Sequence, residues 1–280
     1  MRARHAVPLA VLAWPFVEPL FPVLRRTTVA VLPPDVQPLT VLHLSDLHLL
    51  PRHHRRSDWV RALTRHRPDL VVSTGDHLSS AAAIGLLTRT LGVFDAPAYF
   101  VPGNNDYHLP RVPRPWDYLR DNGSSVRRRR PDLPWREAAR ALEVVGWTDL
   151  TGRRVQALPG VLLTGTDDAH LRRDRYQPAR LAGFGIGVTH TPADRLLTAF
   201  ADDGHALVLA GHTHGGQLRL PGFGPFTSNC DLPLDRARGL TRDARGWLHV
   251  SAGLGTSPYL PVRCCCRPEA TLLRLVPAVG

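Results

Sequence analysis

The feature that most constrains the fold is a set of five short apolar runs, each followed at once by polar side chains that can bind a metal. The runs span residues 41–44, 70–74, 98–101, 186–188 and 207–210. Short apolar runs that end in turn residues are typical of buried strands. In α/β folds, ligands bind in the crevice outside the carboxyl ends of the strands. We therefore expect the five strand ends to converge on one site.

The residues after the five runs supply a mixed set of possible metal ligands. They are Asp46, His48, Asp76, Asn104, His190, His212 and His214. Two carboxylates, one amide oxygen and four imidazoles suit manganese, iron or zinc better than magnesium or calcium. Any one of these residues alone would be interpreted as an ordinary loop residue. Together, their order, spacing and strand context predict a transition-metal site.

The order of these motifs resembles that of the calcineurin-like metallophosphoesterase family, whose pattern runs D-x-H, G-D, G-N-H-D/E, H and G-H-x-H. The resemblance covers residues 39–275, to within a few residues. The Gly215-Gly216-Gln217 sequence after the last motif is similar to a bacterial, membrane-associated phosphodiesterase branch of that family. The resemblance implies an α/β fold, a four-layer αββα sandwich in which two mixed sheets lie face to face between helical layers.

The resemblance also implies two ligand sets that share Asp76. One metal ion is held by Asp46, His48, Asp76 and His214, and the other by Asp76, Asn104, His190 and His212. Two cations about 3.5–4 Å apart clamp phosphoryl oxygens and lower the pKa of a shared water. The implied reaction is hydrolysis of a phosphodiester or pyrophosphate, in which a metal-bridging hydroxide attacks phosphorus while His190 and His212 surround the developing charge.

One position departs from the family pattern. Asn105 stands where the family carries its catalytic His, whereas Asp106, which in the family would orient that His, is present. Asn can donate a hydrogen bond to a leaving-group oxygen, but it cannot deliver a proton. By sequence, His77 and His108 are the nearest candidates for a replacement acid.

Two alternatives to this function stay open. The first is a phosphomonoesterase, and the second is a catalytically weak, metal-binding interaction module. Retention of all seven ligands favours an enzyme, whereas Asn105 favours the module. A loop that contains Asp167, Asp168 and His170 follows a predicted strand. It either shapes the substrate pocket or forms a turn with a capping Asp.

The net charge of +11 comes from 35 basic residues, all of them Arg. The complete lack of Lys indicates a coding bias, so the charge is a weak indication of a nucleic-acid partner. No signature of a nucleic-acid-binding module is visible, and specific nucleic-acid binding is not expected. We expect the substrate to be a phosphorylated small molecule or a lipid headgroup. The sequence predicts no particular oligomeric state.

We predict that residues 1–36 form an N-terminal helix and strand extension, and that residues 37–280 form the phosphoesterase domain. The apolar stretch at residues 7–24 contains four Pro and one Glu, which a membrane-spanning helix would not tolerate well. A packed helix that leads into a strand at residues 27–32 is favoured over contact of residues 6–16 with a membrane surface. The cysteine spacing fits neither a disulfide framework nor a zinc motif. We therefore predict a cytoplasmic protein, with peripheral contact to the inner face of the membrane as the alternative.

Further elements are predicted along the rest of the chain. Helices are expected at residues 57–66, 79–91, 135–145 and 191–200, and strands at residues 161–166, 247–252 and 271–275. Ser57 is expected to cap the first of these helices. The Arg-rich segment at residues 127–130 lies in a Pro-rich stretch and is predicted to be a solvated loop.

Overall fold

The structure is a computed structural model that describes residues 13–112, 130–256 and 258–278. Its strands are β1 (Val23–Leu32), β2 (Leu39–Leu44), β3 (Leu70–Ser73), β4 (Ala98–Phe100), β5 (Trp147–Asp149), β6 (Arg154–Leu158), β7 (Val161–Gly165), β8 (Gly185–Val188), β9 (Leu207–Ala210), β10 (Arg219–Leu220), β11 (Gly224–Pro225), β12 (Gly239–Asp243), β13 (Gly246–Val250) and β14 (Glu269–Pro277). Its helices are α1 (His54–Arg61), α2 (Ile84–Leu91), α3 (Asn104–Tyr107), α4 (Trp135–Val144) and α5 (Asp194–Asp202). Short 3-10 turns follow α1 and precede α2.

Two six-stranded mixed sheets organise these elements. The first sheet has the order β1-β14-β2-β3-β4-β5, and the second has the order β12-β13-β9-β8-β7-β6. Strands β2 to β5 run parallel to one another, as do β7, β8, β9 and β13. Because parallel neighbours end at the same edge, each sheet presents several carboxyl ends together.

The two sheets pack face to face between helices. Val41 of the first sheet and Ile186 of the second are fully buried in the same apolar cluster. The outer face of the first sheet packs against α2 and α4 through Leu87 and Leu142. The outer face of the second sheet packs against α5 through Phe200. This order of layers confirms the predicted αββα sandwich.

The five strands predicted from the apolar runs are present, each within two residues of its expected bounds. They are β2, β3, β4, β8 and β9. The expected strands at residues 161–166, 247–252 and 271–275 correspond to β7, β13 and β14. Strands that are buried on both faces give continuous apolar runs, which explains why these segments could be recognised.

Three predicted helices begin elsewhere in the structure: α1 at His54, α2 at Ile84 and α5 at Asp194. In two of these cases a hydroxyl at the predicted start forms a tertiary contact. Ser57 lies inside α1, three residues after its start, and its hydroxyl lies 2.7 Å from that of Thr90 on α2. Thr191 lies three residues before α5, and its hydroxyl donates to Asp168 at 2.7 Å. The prediction that Ser57 caps a helix is therefore wrong.

The N-terminal segment contributes to the first sheet. Strand β1 pairs in parallel with β14 and lies at the edge of that sheet. Residues 13–17 are helical, whereas the rest of the predicted N-terminal helix lies outside the described residues, as do residues 127–129. Within the described ranges, no helix is long and apolar enough to cross a membrane. The division of the chain at residue 36 stays a prediction.

Candidate metal centre

Polar residues after five strands meet where the two sheets end. Asp46 follows β2, Asp76 follows β3, Asn104 opens α3 after β4, His190 follows β8, and His212 follows β9. All five side chains are buried. The sandwich therefore brings together segments that are far apart in the sequence, as the apolar runs predicted.

Four side chains form a compact first cluster. Asp46, His48, Asp76 and His214 each offer one ligand atom, and these atoms lie within 4.8 Å of one another. His48 Nε2 lies 3.4 Å from Asp76 Oδ2 and 3.2 Å from His214 Nε2. Asp46 Oδ1 lies 3.6 Å from His214 Nε2. These are the same four residues as in the first predicted ligand set.

A second cluster adjoins the first at Asp76. His190 Nε2 lies 3.4 Å from Asp76 Oδ2 and 3.2 Å from His212 Nδ1. The amide oxygen of Asn104 lies 3.1 Å from the same His212 nitrogen. One carboxylate oxygen, Asp76 Oδ2, is thus equally close to an imidazole of each cluster.

The four imidazoles are oriented from outside the clusters. In each ring, the nitrogen farther from the clusters, here called the outer nitrogen, contacts an oxygen atom. His48 contacts Ser79 Oγ at 3.2 Å, and His214 contacts Gly255 O at 3.2 Å. His190 contacts Thr74 O at 2.6 Å, and His212 contacts Asn229 O at 3.0 Å. A carbonyl oxygen can only accept, so Nδ1 of His190, which contacts Thr74 O, donates. In the neutral ring, the inner nitrogen then keeps its lone pair, which is the arrangement that metal-ligating His residues need.

The backbone is strained at the clustered residues. Five residues of the clusters have a positive φ: Asp46 (50°), His48 (44°), Asp76 (55°), His212 (69°) and His214 (50°). Such conformations are uncommon outside glycine and are concentrated at functional sites. Neighbouring glycines make the room for these side chains, since a Cβ on Gly103 would overlap Asp76 Oδ1. The strained backbone at these residues therefore costs stability, and it orients their side chains toward the clusters.

Burial sets the protonation of the clustered side chains. It lowers the pKa of His48 to about 4 and holds the pKa values of His212 and His214 well below the usual histidine value. Burial raises the pKa of Asp46 to about 6. Three imidazoles are therefore neutral at pH 7, the form that binds metals.

His190 and Asp76 form a buried ion pair. Burial opposes the charging of both groups, but their mutual attraction raises the pKa of His190 well above its usual value and lowers that of Asp76 well below it. A cation can take the place of this proton between the two side chains. Two carboxylates, an amide oxygen and oriented imidazoles fit divalent transition-metal ions.

Asn105 lies at the mouth of the clusters. Its backbone N–H donates to Asp76 Oδ1 at 2.8 Å, and its side-chain amide donates to Asp76 Oδ2 at 2.7 Å. Asp106 faces away from the cleft. Its carboxylate accepts from Gly103 N at 3.0 Å and from both the backbone N and the Nδ1 of His77, at 2.8 and 2.9 Å. Asp106 therefore orients His77 and the loop instead of a ring at position 105.

The two suggested replacement acids are both buried. His77 is fully buried, its ring stacks on Trp135 at 5.9 Å, and its Nε2 lies 2.9 Å from Ser73 Oγ. The structure therefore places His77 in the core and does not support it as an acid. His108 is also buried, with Nδ1 4.0 Å from Asp132 Oδ1.

The loop after β7 forms the predicted turn with a capping Asp, whereas its role in shaping the substrate pocket stays a prediction. Asp168 accepts from the backbone N of His170 and of Leu171, at 3.2 and 2.9 Å, and therefore caps a turn. Asp167 accepts from the Tyr107 hydroxyl at 2.8 Å. The His170 ring lies 4.8 Å from the His212 ring, so this side chain borders the clusters.

A buried chain of hydrogen bonds, which sequence analysis missed, ends on Asp46. It runs from His249 Nδ1 to His43 Nδ1 (2.8 Å), from His43 Nε2 to Thr74 Oγ1 (2.9 Å), from Thr74 Oγ1 to Ser45 Oγ (2.7 Å), and from Ser45 Oγ to Asp46 Oδ2 (2.5 Å). Each hydroxyl has one hydrogen, and both hydroxyls use it toward Asp46. His43 must therefore donate through Nε2 and accept at Nδ1 from His249. A histidine in the middle of an apolar strand was the available signal.

A residue outside the predicted site, Arg263, also contacts the backbone beside the clusters. Arg263 is fully buried, and its guanidinium donates to Ala252 O at 2.7 Å and to Gly255 O at 2.6 Å. Gly255 O is also the acceptor for His214. The sequence Gly253-Leu254-Gly255 and Arg263 carry no ligand chemistry of their own, so residue type alone did not indicate this support.

Comparison with known proteins establishes the family. Residues 39–216 match the family model of the calcineurin-like phosphoesterases. The chain belongs to this family. The uncharacterized protein YpbG of Bacillus subtilis is 28% identical over 239 residues, which cover 83% of each chain. Phosphodiesterase YaeI of Escherichia coli is 26% identical over 280 residues, covering 93% of this chain and 91% of its own.

Among solved structures, a dimetal phosphatase from Danio rerio is 12% identical over 77% of this chain and 88% of its own, with a TM-score of 0.45. Family membership places the protein among metal-dependent hydrolases of phosphoric esters. The clustered side chains form a candidate metal site of this calcineurin-like phosphoesterase.

Proposed function

We propose that the protein is a binuclear metal-dependent phosphohydrolase that acts on phosphodiesters or pyrophosphates. In this proposal one ion is held by Asp46, His48, Asp76 and His214, and the other by Asp76, Asn104, His190 and His212. The observation that carries the proposal is the position of Asp76 Oδ2, which lies 3.4 Å from both His48 Nε2 and His190 Nε2. An oxygen in that position can be shared by two ions.

Divalent ions bound there lower the pKa of a coordinated water and neutralise phosphoryl oxygens. The chain's own contribution is to hold two carboxylates against four imidazoles, so the ligands offset only part of the ionic charge. The residual positive charge attracts an anionic substrate. Asn105 lines the cleft, and its side-chain amide donates one hydrogen to Asp76; in this proposal the second amide hydrogen donates to a phosphoryl or leaving-group oxygen.

The lining of the cleft supports a diester over a monoester. Among the described residues, the cleft lining contains no Arg, although the chain carries 35 basic residues. A phosphomonoester is largely a dianion at neutral pH, whereas a diester carries one negative charge. A cleft whose described lining has no Arg side chain is better suited to the singly charged substrate. The relative YaeI is named a phosphodiesterase, which agrees with this choice.

The test compares one diester and one monoester with the same leaving group. Bis(4-nitrophenyl) phosphate and 4-nitrophenyl phosphate are assayed with manganese, iron, zinc or magnesium. We expect faster turnover of the diester and complete loss of activity on chelation. Asp76→Asn should abolish turnover, whereas Asp58→Asn, an exposed carboxylate on α1, should not change it.

Other outcomes separate the alternatives. Much faster turnover of the monoester would replace this proposal with a phosphomonoesterase. If phosphate binds in a metal-dependent way but no ester turns over with any metal, the interaction module becomes the better description.

A further inference from the structure

The metal cleft has one apolar wall. Its cavity has a volume of about 370 Å³, which is within the range of small-molecule pockets. The metal-ligand clusters form one side. Pro110, Leu218, Phe226 and Leu260 line the same cavity. We refer to these four residues as the apolar wall.

Backbone and side-chain hydrogen bonds hold the apolar wall in place. Leu218 forms a bridge with Cys264 at the base of the β10–β11 hairpin. The Gln217 amide donates to Leu260 O at 3.0 Å, which ties the hairpin to the loop at residues 258–264. Three of the four wall residues, Leu218, Phe226 and Leu260, therefore lie on two segments that are fixed to each other, and Pro110 adds a third segment.

The exposure of Phe226 indicates that the apolar wall contacts a ligand. This ring follows the hairpin directly and is 67% exposed, although it lines the metal cleft. Apolar surface gains free energy when a ligand removes it from water. Polar lining is also present in Thr227, Ser228 and Asn229, but the described lining has no Arg that would bind a second anionic group.

We infer that the substrate is a phosphodiester whose non-leaving ester group is apolar, an alkyl or aryl group that lies along the apolar wall. This inference rests on the proposed function and names the substrate class of the same site. The phosphoryl group lies against the metal-ligand clusters, and the apolar group extends past Leu218 and Phe226. With a small or strongly polar ester group, the apolar wall stays exposed to water and contributes nothing to substrate binding.

The experiment uses methyl, butyl, hexyl and octyl 4-nitrophenyl phosphates, which share one leaving group and one reacting centre. Concentrations are kept below those at which the esters form micelles, and manganese is supplied. We expect kcat/KM to rise about tenfold or more from the methyl to the hexyl ester, mainly through a lower KM, since each buried methylene contributes to binding. Phe226→Ser should flatten this dependence while the methyl ester is still hydrolysed.

The matched control is Phe223→Ser. Phe223 is 88% exposed at the tip of the hairpin and lies outside the cleft lining, so its replacement should leave the chain-length dependence unchanged. Leu260→Asn is a second test on the other segment of the wall and should also flatten the dependence.

Two results would overturn the inference and leave the proposed function intact. One is equal kcat/KM for the methyl and hexyl esters. The other is an unchanged chain-length dependence in both Phe226→Ser and Leu260→Asn. If no ester of the series is hydrolysed with manganese, nor with iron, zinc or magnesium in its place, the proposed phosphodiesterase function fails as well.

Discussion

At the scale of single residues, both ligand sets depend on Asp76. Its Oδ2 atom is shared between His48 and His190, whereas the other proposed ligands each serve one set. Loss of an outer partner of a ligand typically costs 10–100-fold in metal affinity, to order of magnitude. We therefore expect Asp76→Asn to weaken both metal sites by more than about 100-fold. Calorimetric titration with manganese and metal analysis after dialysis measure the effect.

Asp76→Asn is compared with His48→Ala, which removes a ligand of one ion only. His48→Ala should lower the metal affinity of that site and leave the affinity of the other site unchanged. Asp58→Asn, on the exposed face of α1, is the control for removing a carboxylate. A stoichiometry of one ion that is insensitive to Asp76 but sensitive to His48 would contradict the binuclear proposal.

The second residue-scale prediction concerns Asn105, which lines the cleft and cannot supply a proton. A positioned acid is typically worth about 10²–10⁴-fold when the leaving group is a poor one. Asn105→His should therefore speed the hydrolysis of alkyl leaving groups more than that of aryl leaving groups. We expect the alkyl-to-aryl rate ratio to rise only about tenfold, below that range, because Asp106 is engaged by His77 and cannot orient the new ring.

Rates with matched dialkyl and diaryl phosphates measure this ratio. Asn105→Ala removes the amide without adding an acid and should slow both substrates together. If Asn105→His changes the two rates by the same factor, proton donation from this position does not limit the reaction.

At the scale of elements, strand ends were predicted well and helix starts less well. Strands β3, β8 and β9 are buried along their length and β2 and β4 at all but one residue each, so burial alone produced a recognisable apolar run. The polar residues that follow them could then be placed at one edge. Strands β6 and β12, which carry charged residues and are only partly buried, gave no such signal.

Tertiary hydrogen bonds limited the rest of the prediction. Ser57 has the residue type of a helix cap, but Thr90 on a neighbouring helix uses its hydroxyl. His43 and Ser45 carry no local pattern that identifies His249 or Thr74 as their partners. Such contacts join segments up to 206 residues apart, and a single sequence does not record which segments meet.

The hydrogen-bond chain between β13 and Asp46 leads to an element-scale prediction. Because Ser45 donates to Asp46 Oδ2, Ser45→Ala leaves this carboxylate less firmly oriented and less stabilised. We expect manganese affinity to fall about tenfold, the lower end for loss of an outer partner. Isothermal titration calorimetry measures the affinity, and urea unfolding measures the stability.

The matched control is Ser57→Ala, another buried serine in a hydroxyl–hydroxyl hydrogen bond, 2.7 Å from Thr90 and on α1. Each variant should lose about 1 kcal/mol of unfolding free energy. Only Ser45→Ala should lose metal affinity. Equal affinities in the two variants would show that the chain does not act on Asp46.

At the scale of the whole molecule, the two sheets are joined by a buried histidine pair. His43 on β2 belongs to the first sheet and His249 on β13 to the second, and their Nδ1 atoms lie 2.8 Å apart. Burial lowers the pKa of His249 to about 4, against an opposing effect of Glu269. Burial and the neighbouring His249 lower the pKa of His43 well below its usual value. The hydrogen bond between the sheets requires an unprotonated Nδ1 on His43, and burial keeps both rings neutral at pH 7.

The pH dependence of stability follows from these lowered values. In the unfolded chain a histidine has a pKa of about 6.5, so below that pH the unfolded state binds more protons than the folded state. The stability that His249 contributes is complete above about pH 6.5 and is lost as the pH falls toward 4. For this one group, we expect a loss of about 2 kcal/mol in unfolding free energy between pH 7 and pH 5.

Replacement of His249 by Gln tests this expectation, because an amide can still donate to His43 Nδ1 but does not titrate. Urea unfolding at pH 7 and pH 5, with a chelator present, should show a pH dependence about 2 kcal/mol smaller in His249→Gln than in the parent protein. His54→Gln, an exposed side chain at the start of α1, is the control and should retain the parent's dependence. If His249→Gln loses as much stability on acidification as the parent, the buried pair does not govern acid unfolding, and protonation elsewhere separates the sheets.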